Sequence, residues 1–383
     1  MHEGGEMVFD ITKLKGREPL QEYPWRNELD RLFEWLSTQE NHVTALCFDL
    51  IMSAAYIDAS SGIEKNIEQC DNTPSPFNAH IGFINLCSPC YINAATWSYQ
   101  KAVKPQSGAL GKLSSEIILR FIEKLHPHFT EVIAVGGTDA ADAVLKHNSG
   151  ITILAEVKSA PLLTYPFIFE VPDGCLNGQH EKLTITTSQL QECRSAIHLH
   201  NEHYIDLGKV GDHLWPFKPL VDFIINPTNK GVVDKCINNW LDAKNAYTAK
   251  DRGDRMYYLA NASGGPPKIA KDRDLWPSKE SISDSKTSAG MDRTDDIKKG
   301  IYQSIKIGTT FGADTMLKTA IISNLPAGRH GDEYVAPFEN MFWGLEENLN
   351  EIGGEQAIKL TDLRRVFDYI ITLDDPILRD LEL

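Results

Sequence analysis

Two short apolar runs carry charges that neither run explains. ADAVL (141–145) opens beside Asp142, and ITILAEVKS (151–159) ends in Glu156-Val157-Lys158. A charge at the end of a core strand is costly unless another group compensates it. Residues two apart on a strand share a face, so Glu156 and Lys158 point the same way. The intervening HNSG reads as a tight turn, and antiparallel pairing across it brings Asp142 beside Glu156. Two carboxylates and an ammonium then converge at one sheet edge. Carboxylates alone at that spacing repel, and one would protonate. A hard divalent cation such as Mg2+ removes the conflict, because it takes one or two carboxylates and fills its other positions with water and substrate phosphate. A lysine beside it can hold or help deprotonate an attacking water. These groups suit metal-assisted phosphodiester hydrolysis. The plainer reading is a half-buried Glu–Lys pair at a strand end, with Asp142 capping a turn.

The elements that must position these groups are partly legible. SSEIILRFIEKLHPH (114–128) reads as a helix capped by Ser114 or Ser115, buried through Ile117, Ile118, Phe121, Ile122 and Leu125, and stopped by Pro127. EVIAV (131–135), ADAVL and ITILAEVKS then follow as three strands. TTSQLQECRSAIHLHNEH reads as helix capped by Thr187 or Ser188, PLVDFIIN (219–226) and RMYYLANA (255–262) as strands, and VVDKCINNWLDAKNAY as a helix between them. The order α-β-β-β-α-β from about residue 112 predicts a mixed α/β core. Upstream, residues 19–60 look helical, with Leu29, Leu32, Phe33 and Leu36 on one stripe. Residues 70–110, rich in Pro, Asn, Ser and Cys, read as loops with short helical pieces.

Aspartate, an apolar strand, then Glu-x-Lys at a strand end resembles the PD-(D/E)xK nuclease superfamily, and within it the type II restriction endonucleases. The resemblance covers roughly residues 111 to 200, about a quarter of the chain. The family often has proline before the aspartate, where this chain has Ala141. Asp139, in GGTDAAD, is a rival for the same role; Asp142 is preferred because the apolar run follows it directly. The resemblance implies a restriction-endonuclease-like mixed sheet flanked by helices, with helical N-terminal and recognition additions. It implies that Asp142, Glu156 and the Val157 carbonyl bind Mg2+, and that Lys158 orients and activates water. Glu116, on the preceding helix, would support a second metal or the lysine. It further implies a homodimer that cuts palindromic double-stranded DNA to 5′-phosphate and 3′-hydroxyl ends, with a cognate DNA methyltransferase in the same cell. The expected organisation is a helical region at 1–110, the catalytic core at 111–235, a DNA-recognition region with a flexible loop at 236–330, and an acidic region at 331–383.

Charge bears on the partner. The 383 residues carry a formal net charge of −15, which taken alone argues weakly against a nucleic-acid partner. The distribution is uneven. From Lys244 to Lys306 there are thirteen Lys or Arg against nine Asp or Glu, leaving about −19 for the rest. Sequence reading needs such groups at base edges, and the candidates are Arg252, Arg255, Lys268, Arg273, Arg293, Lys298 and Lys299, with Lys244, Lys250 and Lys271 beside them. A solvated loop of balanced charge explains the same segment equally well.

Seven scattered cysteines predict free thiols in a reducing compartment. Cys87-Ser-Pro-Cys90 has the spacing of half a zinc site, which Cys70 and His80 could complete, though buried thiols are the simpler expectation. His198, His200 and His203 read as surface or capping residues on or after a helix. No apolar run approaches about 18 residues, so no membrane span is expected. The N-terminal stretch lacks a signal-peptide core, and a cytoplasmic location is the expectation.

Overall fold

The computed structural model describes residues 11–94, 96, 98–103, 105, 107–137, 139, 141–200, 202–249, 289–292, 294–311, 316–328, 330–344, 349–352, 355–358 and 363–374. In chain order the first elements are β1 (Arg17–Pro19), α1 (Arg26–Leu36), α2 (Asn41–Ala59), β2 (Glu68–Gln69), β3 (Ala79–Ile81), α3 (Ser88–Ala94), α4 (Ser107–Leu125), β4 (Phe129–Val135), β5 (Ala143–His147) and β6 (Thr152–Val157). There follow β7 (Phe167–Glu170), α5 (Thr187–Glu192), β8 (Arg194–His200), β9 (His203–Lys209), α6 (Phe217–Ile225), α7 (Lys230–Thr248), α8 (Thr294–Phe311) and β10 (Leu317–Ser323). The last are α9 (Gly331–Tyr334), α10 (Ala336–Glu339), β11 (Phe342–Trp343), β12 (Leu349–Ile352), β13 (Glu355–Ile358), β14 (Arg364–Arg365) and β15 (Tyr369–Thr372).

Contacts group the chain into two units, each assembled from separate stretches: Met1–Gln21, Ser115–Ser159 and Gly290–Leu383 in one, Glu22–Ser114 and Ala160–Ala289 in the other. This differs from the four successive segments expected above. The reason is topological, since β6 finds its outer partner in a strand that lies far along the chain.

The first unit holds a six-stranded mixed sheet in the order β1-β4-β5-β6-β10-β15. Neighbours from β1 to β6 run antiparallel, while β6, β10 and β15 run parallel. Parallel neighbours need a crossover. Here α8 precedes β10 and lays Ile307 against Val144, Leu154 and Leu317, and Ile297 against Ile321. Gly300 lies close against β10, where a Cβ would come within 2.8 Å of Ile321 Cδ1 and push that side chain aside. The three strands expected at 131–135, 141–145 and 151–159 are β4, β5 and β6. α4 begins earlier than expected, so Ser114 and Ser115 lie inside it and do not cap it.

The second unit contains an antiparallel sheet, β2-β3-β7-β8-β9, with α1, α2, α6 and α7. Leu29, Leu32, Phe33 and Leu36 of α1 are all buried, as their spacing predicts. Two expectations fail here. TTSQLQECRSAIHLHNEH stays helical only through Glu192, capped by Thr186 in a reciprocal pair with Gln189; from Arg194 the chain is strand, because the ladder between β7 and β9 satisfies its backbone better than a lone helix would. PLVDFIIN is helix, not strand: Phe217, Leu220, Val221 and Ile224 recur at three- and four-residue spacing on one buried face of α6. RMYYLANA lies outside the described residues.

Among the described residues α2 alone is long and apolar enough to pass as a membrane span, yet 83% of that window is buried inside the protein. Its polar centre explains why it belongs in a core. Asp49, fully buried, accepts hydrogen bonds from the Leu162 and Leu163 amides at 3.2 and 2.9 Å and from Trp240 Nε1 at 2.8 Å. One carboxylate thus ties α2 to α7 and to the strand-entry loop. Asp49→Ala strands three buried donors and should lower stability by about 3–5 kcal/mol, whereas Trp240→Phe, which removes a single donor, should cost about 1–2 kcal/mol. Urea unfolding measures both, and equal losses would contradict the assignment.

Candidate functional site

Register brings the charged groups of β5 and β6 together. Ala143 pairs with Ala155 and Val144 with Leu154, so Asp142, one residue before β5, stands opposite Glu156. The Asp142 amide donates to the Ala155 carbonyl at 2.9 Å, and Asp142 Oδ2 accepts from the Val157 amide at 3.0 Å. Lys158 leaves the strand with its own amide bound to the Ile322 carbonyl of β10 at 2.8 Å, which fixes where its side chain starts.

From there the Lys158 ammonium reaches three oxygens. Nζ lies 2.5 Å from Glu156 Oε1, 3.0 Å from the Val157 carbonyl and 3.5 Å from Asp142 Oδ2. Glu156 is 5% exposed, and its second oxygen, Oε2, is buried with no hydrogen-bond partner among the described residues. The Asp142 side chain is 40% exposed, so the group is closed at Glu156 and open at Asp142. Burial pushes the Glu156 carboxyl up to about 7; the Asp142 charge adds to the rise and Lys158 offsets part of it.

The donor set fits a hard cation. Two carboxylates and a backbone carbonyl are oxygen ligands of the kind Mg2+ takes, the ammonium already stands among all three as a positive charge, and Glu156 Oε2 has an unused buried lone pair.

The other expected residues divide. Glu116 is buried on α4, where its carboxylate accepts from the Gln21 amide at 3.0 Å. Glu116, Asp142 and Glu156 do not gather as three ligand atoms all within 4.8 Å of one another among the described residues. Asp139 takes a different part: Oδ2 accepts from the Gly16 amide at 2.6 Å, pinning the chain ahead of β1 where a Cβ on Gly16 would strike the Gly136 carbonyl. Lys298 and Lys299 are exposed on α8, and Lys244 lies half-buried on α7. Arg252, Arg255, Lys268, Arg273 and Arg293, like Lys250 and Lys271, lie outside the described residues. His198 and His203 sit on β8 and β9, not on a helix, and His198 is fully buried. A group that sequence reasoning missed is the ring of His180, which meets Cys70, Cys87 and Cys90.

No protein-family model, curated protein or solved structure matches this chain.

Without metal, the raised Glu156 carboxyl binds its proton more tightly in the folded than in the unfolded chain. Its contribution to stability is complete below the ordinary carboxyl value of 4.5 and disappears as pH rises through about 7. In chelator-treated protein, the stability of the wild type relative to Glu156→Gln should therefore fall across that window, as read by urea unfolding on either side of it. Parallel pH curves for the two proteins would rule out the buried, proton-binding carboxyl.

Proposed function

We propose that this chain is a Mg2+-dependent nuclease of the PD-(D/E)xK kind that hydrolyses phosphodiester bonds in double-stranded DNA, acting as a type II restriction endonuclease. The observation that carries the reading is the meeting of Asp142, Glu156, the Val157 carbonyl and Lys158 at one end of a mixed sheet.

In this reading Asp142, Glu156 and the Val157 carbonyl hold the metal, which when bound supplies positive charge against the scissile phosphate and acidifies water. Lys158, released from Glu156, orients a water for in-line attack and balances charge on the phosphate. The water oxygen bonds to phosphorus as its proton leaves to solvent, the P–O3′ bond breaks, and O3′ takes a proton from solvent, giving 5′-phosphate and 3′-hydroxyl ends. Exposed Asp142 faces the approaching backbone, while buried Glu156 keeps its end of the site dry. Lys298 and Lys299, on the outer surface of α8, are free to contact phosphates, a role that supplies affinity without sequence information. A homodimer would read a two-fold symmetric site.

The test is cleavage of unmodified phage DNA with Mg2+, with and without EDTA. Discrete fragments that vanish with EDTA are expected; cutting confined to damaged or modified DNA would point instead to a repair or modification-dependent nuclease. Lys158→Ala and Asp142→Ala should each lower the rate by about 10²–10⁴-fold while leaving DNA retention on a filter nearly intact. Asp139→Ala, which only frees the Gly16 amide, should cut at a near-normal rate. Loss of cutting in Asp139→Ala but not in Asp142→Ala would overturn the assignment.

A further inference from the structure

Three cysteines and a histidine from distant parts of the second unit point their ligand atoms at one another. Cys70 Sγ lies 3.6 Å from both Cys87 Sγ and Cys90 Sγ, and Cys90 Sγ lies 3.6 Å from His180 Nε2. One ligand atom from each of the four residues falls within 4.8 Å of the rest. Cys70, Cys87 and Cys90 are at most 1% exposed, whereas His180 is half-buried.

The spacing carries the chemistry. Around tetrahedral zinc, bonds of about 2.3 Å to sulfur and about 2.0–2.1 Å to nitrogen put neighbouring ligand atoms about 3.8 Å (S to S) and about 3.6 Å (S to N) apart. The observed separations match those edges. They are far beyond the roughly 2.05 Å of a disulfide.

The backbone holds the four residues in place by independent means. Cys70 immediately follows β2, its amide bound to the Asn78 carbonyl; Cys87 immediately precedes α3 and Cys90 lies in its first turn; the His180 amide donates to the Gln69 carbonyl. His180 takes a left-handed φ of 65°, a conformation that costs a non-glycine residue energy and persists only when the surroundings demand it. Beside the sulfurs lies a donor that suits a thiolate, Asn72 Nδ2 at 3.2 Å from Cys90 Sγ, while the His80 ring Nε2 stands 3.2 Å from Cys87 Sγ. Groups of that kind orient and tune metal ligands.

We infer that Cys70, Cys87, Cys90 and His180 form a closed tetrahedral Cys3His zinc site that staples the β2 end, the start of α3 and the 178–181 turn together. With four protein ligands and no position left for water, the site is structural, not catalytic. His80 stands beside the ligands without being one of them, so the half-site at Cys87 and Cys90 is completed by a histidine 90 residues beyond Cys90. The inference is independent of the nuclease reading and rests on different residues.

The full chain, purified without added metal and dialysed, should contain one zinc per chain by elemental analysis. Replacement by Co2+ should give the intense ligand-field and sulfur-to-metal absorption of a tetrahedral thiolate site. His180→Ala and Cys87→Ser should each reduce retained zinc at least about tenfold, since structural sites lose most of their affinity with a ligand. His80→Ala should keep zinc near one per chain. Protein that retains no zinc and, when given Co2+, shows no such spectrum would overturn the inference. So would zinc that survives His180→Ala but is lost in His80→Ala. Because the wild-type metal content and the cobalt spectrum need no variant, misfolding of a mutant leaves the test decisive.

Discussion

An ammonium surrounded by three oxygens is the interaction on which the first unit's chemistry depends. Glu156 lies on a strand that is buried over most of its length, and Asp142 stands opposite it across the β5–β6 ladder. Two carboxylates so placed would drive one another to protonate. Lys158 offsets part of that by standing between them and also taking the Val157 carbonyl. In the proposed reading a divalent cation competes with the ammonium for the same oxygens, and Lys158 moves aside when the cation binds.

The sheet explains why the convergence occurs at this edge. An antiparallel pair sets Asp142 against Glu156, while the parallel strand β10 fixes Lys158 through the Ile322 carbonyl. Mixed pairing matters, since an antiparallel neighbour alone would leave the residue after β6 without a backbone anchor on its outer side. α8 packs Ile307 in one cluster with Leu154, and Gly300 sits against Ile321, the β10 residue paired with Glu156.

Much of this site was legible because its information is local. Asp142 and Glu156 are fourteen positions apart, joined by two short strands and a turn whose residues announce themselves. What was hidden is non-local. Nothing in ITILAEVKS says that its outer partner is Leu317–Ser323, or that a second unit intervenes. PLVDFIIN misled because a short β-branched run looks alike as strand or helix, and only its burial at three- and four-residue spacing decides. SAIHLH misled in the opposite sense, drawn into the antiparallel sheet by partners on both sides. At the cysteine cluster, Cys87-x-x-Cys90 was readable as half a site, but proximity in sequence favoured His80, whereas the fold supplies His180.

If Asp142 and Glu156 are cation ligands for which Lys158 stands in, calorimetric titration of Mg2+ into chelator-treated protein will reveal it. Asp142→Ala and Glu156→Ala should abolish measurable binding, and Lys158→Met, which removes the competing ammonium, should bind Mg2+ at least as tightly as the wild type. Undiminished binding in both carboxylate variants, or weakened binding in Lys158→Met, would contradict it.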